Sequence, residues 1–185
     1  IQVAGRLFVD LDAGHPSAGS EVWKNSADAG DFQRIGNPKT VQLQGVSAIM
    51  LNASESNDAF RCHKGAPAGV TGKAPTRSVE VWVLNPEIAF EEPMVAMARR
   101  GGPPGTAYNF NYGTAPGHGA ITHWGGADLG WGQVPEAGQW HHLVHTCDGT
   151  TNRVYCDGKQ IAMEKLQPRD LNTHPDSHIV IGTGI

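Results

Sequence analysis

Two Asp-Gly pairs, Asp148-Gly149 and Asp157-Gly158, each separate runs in which apolar and polar residues alternate, and no other feature restricts the fold so strongly. Asp-Gly between alternating runs is the strongest short-range hairpin signal, because both residues tolerate the positive φ that a tight turn between twisted strands requires. The runs 141–147, 152–156 and 159–163 therefore read as three antiparallel strands in two consecutive hairpins. Their register follows from the turns. Cys147 opposes Asn152, His145 opposes Val154 and Leu143 opposes Cys156. Leu143, His145, Cys147, Val154 and Cys156 share one face, which is the core face. In that register Cys147 and Cys156 lie about 13 Å apart at roughly 3.3 Å per residue, beyond disulfide reach. Both read as small core residues.

The rest of the chain repeats the pattern. Residues 77–84 alternate, with Val79, Val81 and Val83 on one face and Ser78, Glu80 and Trp82 on the other. Shorter strand signals fall at 6–11, 39–43, 48–51, 58–61, 94–98, 107–112 and 120–124, and a last one begins at His178. Residues 13–36 and 65–75, rich in Gly, Ser, Asn, Asp or Pro, read as connections. Helical periodicity is almost absent. The 24 glycines and 12 prolines are scattered, as expected of many short elements joined by turns. The expected fold is all-β: a two-sheet antiparallel β-sandwich over residues 1–185, as a single domain.

Several classes are excluded. The formal net charge is -4 and no basic cluster exceeds Arg99-Arg100, so a nucleic-acid partner is not expected. No apolar run is long enough for a transmembrane helix. No nucleotide-binding glycine motif is present. Cys62-His63 lacks the first cysteine of a haem-attachment motif, since position 59 is Ala59, so no haem is expected.

The run Gly138-Gln-Trp-His-His-Leu-Val-His-Thr-Cys-Asp-Gly-Thr-Thr-Asn-Arg-Val-Tyr-Cys-Asp-Gly-Lys resembles the signature of laminin-G-like, concanavalin A-like jelly rolls. Members carry G-x-W-H-H-V, a strand, D-G, a strand with R-x-Y, and then D-G-K. Arg77-Ser-Val-Glu-Val-Trp-Val resembles the family strand F-T-I-S-x-W-V. Residues 51–60 resemble F-D-G-x-x-D-Y, with Asp58 at the acidic position. Two positions depart from the pattern: an aromatic is usual at Cys147 and an aliphatic at Cys156. The resemblance implies a jelly roll. It leaves function open, because the same sandwich hosts lectins, carbohydrate-binding modules, adhesion modules and glycanases. It also implies a closing strand after Ile181-Gly182. The chain is therefore expected to be a fragment or module of a larger chain or assembly.

Two candidate sites follow. Arg99, Arg100, Asn109, Asn111, His123, Trp124, Asp128 and Trp131 fall in one glycine-rich, polar-aromatic stretch. Sugar recognition uses flat aromatic faces for C–H packing, and amide, guanidinium and carboxylate groups for hydroxyls. Asn25, Asp28 and Asp31, with Asp10 and Asp12 nearby, are oxygen donors on a loop and suit a structural Ca²⁺; ordinary turn chemistry is the competing reading. His145, on the core face, reads as a satisfied buried imidazole. No catalytic residue is expected. Glycanases on this fold place two carboxylates two residues apart on one strand, and no Glu-x-Asp-x-Glu stretch occurs here. Glu87, Glu91 and Glu92 lie between Pro86 and Pro93, in a loop.

The expected function is non-catalytic binding of glycans, within a secreted or cell-envelope protein at an extracellular, periplasmic or cell-surface location. The alternative is a structural or protein-interaction domain, or an appendage of a larger enzyme.

Overall fold

The computed structural model describes residues 3–52, 57–97, 101–167 and 171–183, and among them there is no helix. Fifteen strands are present among these residues. They are β1 (Val22–Trp23), β2 (Phe32–Ile35), β3 (Lys39–Leu43), β4 (Val46–Met50), β5 (Ala59–Gly65), β6 (Gly72–Lys73), β7 (Thr76–Leu84) and β8 (Pro93–Met97). The remainder are β9 (Tyr108–Asn111), β10 (Ile121–Thr122), β11 (Trp140–Asp148), β12 (Thr151–Cys156), β13 (Lys159–Lys165), β14 (Asn172–Thr173) and β15 (His178–Ile181). Seven of them form one antiparallel sheet in the order β1-β2-β5-β15-β8-β9-β10. Four form a second, β13-β12-β11-β7. The two sheets share one core, to which Phe32, Phe60, Val95, Tyr108 and Phe110 contribute from the larger sheet and Leu143, Val154 and Cys156 from the smaller. This is the antiparallel sandwich expected from the alternating runs.

The hairpins behave as their turns dictate. Leu143 pairs with Cys156, His145 with Val154 and Cys147 with Asn152, and all six are buried. Gly149 has φ 86°, and the Asp148 carboxylate accepts from the backbone N–H of Thr150 and Thr151 at 2.9 and 2.8 Å. Asp157 and Gly158 both have positive φ, 50° and 80°, which is the two-residue turn that matches strand twist. The three cysteines are free and buried.

Residues 6–11 correct the sequence reading. They join no sheet. Phe8 C=O accepts from Ala29 N–H and Asn25 Nδ2, and Asp10 C=O accepts from Ser26 N–H. These carbonyls are satisfied by the 25–29 loop and not by a partner strand. Phe8, Val9 and Leu11 still pack on the core. β15 is held on both sides, by β5 and β8. At one edge of the smaller sheet, β7 borders a groove lined by Phe8, Leu43, Val81, Met94 and Ile179 among others.

Residues 13–36, read as one connection, contain β1 and β2. Trp23 and Phe32 are buried there, and Trp23 meets Phe60 edge-on with ring centroids 5.1 Å apart.

Candidate functional site

The polar-aromatic stretch of the sequence divides between interior and surface. Asn109 and Asn111 share a face of β9 as expected, but loops cover that face. Asn111 Nδ2 donates to Thr122 Oγ1 at 2.8 Å and to the His118 carbonyl at 3.1 Å. Trp131 is 1% exposed and its indole N–H donates to the Gly119 carbonyl at 3.0 Å. His123 is fully buried. Asn109, Asn111, His123 and Trp131 therefore present almost no surface to a ligand in this conformation. The local sequence placed them near flexible backbone, and packing folded that backbone over them. Trp124 is 37% exposed with φ 62°. Asp128 pins its loop by accepting from His123 N–H at 2.5 Å and Gly125 N–H at 3.1 Å. Arg99 and Arg100 lie outside the described residues.

His123 belongs to a buried polar cluster built on Arg77. Position 77 faces inward on β7, so its guanidinium enters the core. It donates to Val70 C=O and to Thr173 Oγ1, both at 2.9 Å, and Nη2 donates to His123 Nε2 at 3.1 Å. Its carbon sits 3.9 Å from the Tyr108 ring centroid, a cation–π contact in a desolvated site. Arg77 Nε has no hydrogen-bond partner.

The remaining bonds define both tautomers. His123 Nδ1–H donates to Ala127 C=O at 2.8 Å. Tyr108 O–H donates to His145 Nδ1 at 2.9 Å, His145 Nε2–H donates to Asn152 Oδ1 at 3.0 Å, and Asn152 Nδ2 donates to Ala127 C=O at 3.2 Å. Burial, and then the Arg77 charge, hold both imidazoles neutral. His145 is pushed down to about 3 and His123 well below its usual range. Both nitrogens of His145 are satisfied, as the core reading of that residue expected.

The surface counterpart is the outer face of the smaller sheet. Trp82 is 71% exposed. It pairs across the strands with His142, and the rings stack at 4.9 Å with 18° between their planes. Glu80, on the same face, places Oε2 3.3 Å from His142 Nε2. Tyr155 and Arg153 continue this face on β12, half-buried, and Arg153 is held by Asp148 at 2.7 Å. An indole braced flat by an imidazole offers a C–H packing surface, and the carboxylate and imidazole beside it can take hydroxyl hydrogens. The alternation of 77–84 puts Ser78, Glu80 and Trp82 together on one face. That parity was the available signal for a platform the sequence reading did not single out.

The proposed calcium donors are engaged within the protein. Asn25 Oδ1 accepts from Asp10 N–H at 2.7 Å. Asp28 pairs with Arg6 at 2.7 Å and Asp31 with Lys24 at 2.6 Å. The hydrogen bond from Lys24, and next that from the Asn25 backbone, hold the Asp31 carboxyl below its usual range. Among the described residues, donors of metal type converge instead at His141, Cys156 and Asp157.

Comparison with known proteins agrees with this architecture. The family model described as the concanavalin A-like lectin/glucanases superfamily matches residues 63–184. No curated protein matches the chain. Among solved structures, domain 4 of the extracellular arabinanase AbnA from Geobacillus stearothermophilus, in complex with arabinotriose, is similar. It is 18% identical with a TM-score of 0.58, over 87% of this chain and 78% of that one. The binding domain of Paraclostridial Mosquitocidal Protein 1 is 12% identical with a TM-score of 0.55, over 88% and 45%. The botulinum neurotoxin serotype G binding domain is 14% identical with a TM-score of 0.52, over 86% and 43%. This chain spans under half the length of the two toxin domains. At these identities the likeness is one of fold.

Proposed function

The chain belongs to the concanavalin A-like lectin/glucanases superfamily, and on that basis we propose that it is a non-catalytic module that binds glycans on the outer face of the β13-β12-β11-β7 sheet. One observation carries the reading. Trp82 stands exposed yet stacked on His142, with Glu80 alongside, so a flat apolar surface and hydroxyl partners are already in place. On the same face of β7, the residues two places from Glu80 are Ser78 and Trp82, so the paired carboxylates of a glycanase are missing there. The similar domain of the arabinanase, with arabinotriose bound, supports the substrate class. An extracellular or envelope location, and a place within a larger protein, fit the same reading.

The test is a glycan array followed by calorimetry on the best ligand. Trp82→Ala should abolish measurable binding, and Glu80→Gln should weaken it about tenfold. A Trp82→Ala protein that binds like the parent overturns the assignment of the face. The Trp124 loop is the second surface, favoured by its part-exposed indole at positive φ. If Trp124→Ala alone removes binding, the ligand sits there. An array with no hits, joined to self-association that Trp82→Ala abolishes, supports the protein-interaction alternative.

A further inference from the structure

His141 lies on the inner face of β11, and its two ring nitrogens meet different partners. Nε2 is 3.0 Å from the Glu136 carbonyl, which also accepts from Tyr112 O–H at 2.7 Å. A carbonyl only accepts, so Nε2 carries the proton. In the neutral ring Nδ1 is then a bare lone pair. It faces Asp157 Oδ2 at 2.7 Å and Cys156 Sγ at 3.4 Å, and Sγ lies 3.3 Å from the same Oδ2. Three lone-pair atoms of types N, O and S thus converge with one thiol hydrogen among them. Either a proton charges His141 and pairs it with Asp157, or a cation sits between the three.

We propose that His141 Nδ1, Cys156 Sγ and Asp157 Oδ2 form a binding site for a zinc-class divalent ion.

The geometry is close to what such an ion needs. Bonds of about 2.0–2.3 Å in a tetrahedral arrangement separate the ligand atoms by about 3.3–3.6 Å. The two distances to sulfur already match, and the third needs His141 and Asp157 to part by roughly 0.6 Å. The supporting contacts are those of a metal ligand set. The free nitrogen of His141 donates to a carbonyl, and Asp157 Oδ1 accepts from His142 N–H at 2.9 Å, which leaves Oδ2 for the ion. Asp157 keeps its left-handed φ of 50° in the β12–β13 turn and is anchored by its own N–H to His142 C=O at 2.9 Å. His141 and Cys156 are buried and Asp157 is exposed, so the group lies at the edge of the core. Burial, and then Asp157, push the Cys156 thiol up to about 12, and an incoming ion would displace that proton to bulk water. The trio is not a nucleophile–base–orienter relay. Sulfur and carboxylate compete for one nitrogen, and the other nitrogen is occupied by Glu136.

The experiment uses untagged protein, stripped with chelator. It is titrated with Zn²⁺ by calorimetry and with Co²⁺ by absorption, and folding is checked by circular dichroism. The parent should take up one ion per chain and show a thiolate-to-cobalt charge-transfer band. Cys156→Val, an aliphatic in a nearly buried slot, should lose the band and at least tenfold in Zn²⁺ affinity. Asp157→Asn, which keeps an acceptor for His142 N–H, should weaken Zn²⁺ about tenfold while retaining the band. Should Cys156→Val fail to fold, the band in the parent and the affinity of Asp157→Asn decide. Absence of stoichiometric uptake, a parent without the band, or a folded Cys156→Val that binds like the parent would leave only the charged His141–Asp157 pair and overturn the proposal.

Discussion

The two faces of the β7–β11 pair are built from the same strands, residue by alternate residue, yet they follow opposite rules. Inward, Arg77, His145 and Cys147 join Val79, Val81, Val83 and Leu143. Outward stand Ser78, Glu80, Trp82 and His142. His145 and His142 are three positions apart on one strand. His145 is locked neutral between Tyr108 and Asn152, because an unsatisfied or charged imidazole in that interior costs several kcal/mol. His142 stacks on Trp82 beside Glu80, at the surface. The lesson is that residue type does not separate a buried histidine from a surface one; strand parity does.

Substitutions on the two faces should differ most in stability. Tyr108→Ala removes a fully buried ring, the donor to His145 Nδ1 and the aromatic partner of Arg77. It should cost about 3–5 kcal/mol in chemical denaturation. A loss below about 1 kcal/mol would mean that the cluster is not a closed unit.

Acid should separate the faces next. His145 and His123 have folded values depressed below 6.5, so their stabilising contribution is complete above that pH. Below it the unfolded chain takes up protons that the folded chain refuses. Stability should fall by roughly 1 kcal/mol per pH unit for each histidine, hence roughly 2 to 3 kcal/mol by pH 5.5, and continue down toward about pH 3. Denaturant midpoints measured from pH 7 to 4 give the slope. His145→Gln should flatten it, and a slope unchanged by that substitution would erase the distinction between the faces.

Trp82→Ala sharpens the comparison from the outer side. It should shift stability by no more than about 0.5 kcal/mol, although it removes the largest side-chain type. A loss comparable to that of Tyr108→Ala would make Trp82 a packing residue.

Comparably small should be the effect of Asp28→Asn in the 25–31 loop. The Arg6 pair is exposed on both sides, and such pairs contribute about 0–1 kcal/mol. With Asn25 Oδ1, Asp28 Oδ2 and both Asp31 oxygens already bonded inside the protein, added Ca²⁺ should leave the melting temperature unchanged. A clear rise with Ca²⁺ would restore the loop as a calcium site.

Local sequence determined what depends on neighbours along the chain. Asp148-Gly149 turns β11 back onto β12, and once it does, the pairing of Leu143 with Cys156 and the inward placement of His145 follow from a period of two. The same period sets Trp82 and Glu80 together on one face of β7. What a face meets is a different matter. Residues 6–11 alternate like a strand, yet lie against the 25–29 loop, because Asn25 and the loop amides reach their backbone first. Trp131 and His123 sit among glycines and read as surface, yet the fold brings Gly119 and Arg77 to them. Trp23 and Phe32 read as loop, yet the larger sheet extends to include them. Burial is decided by contacts between segments tens of residues apart. The His141 ring is a local case by comparison: the β11–β12 hairpin brings Cys156 and Asp157 to Nδ1, and the loop before β11 brings the Glu136 carbonyl to Nε2.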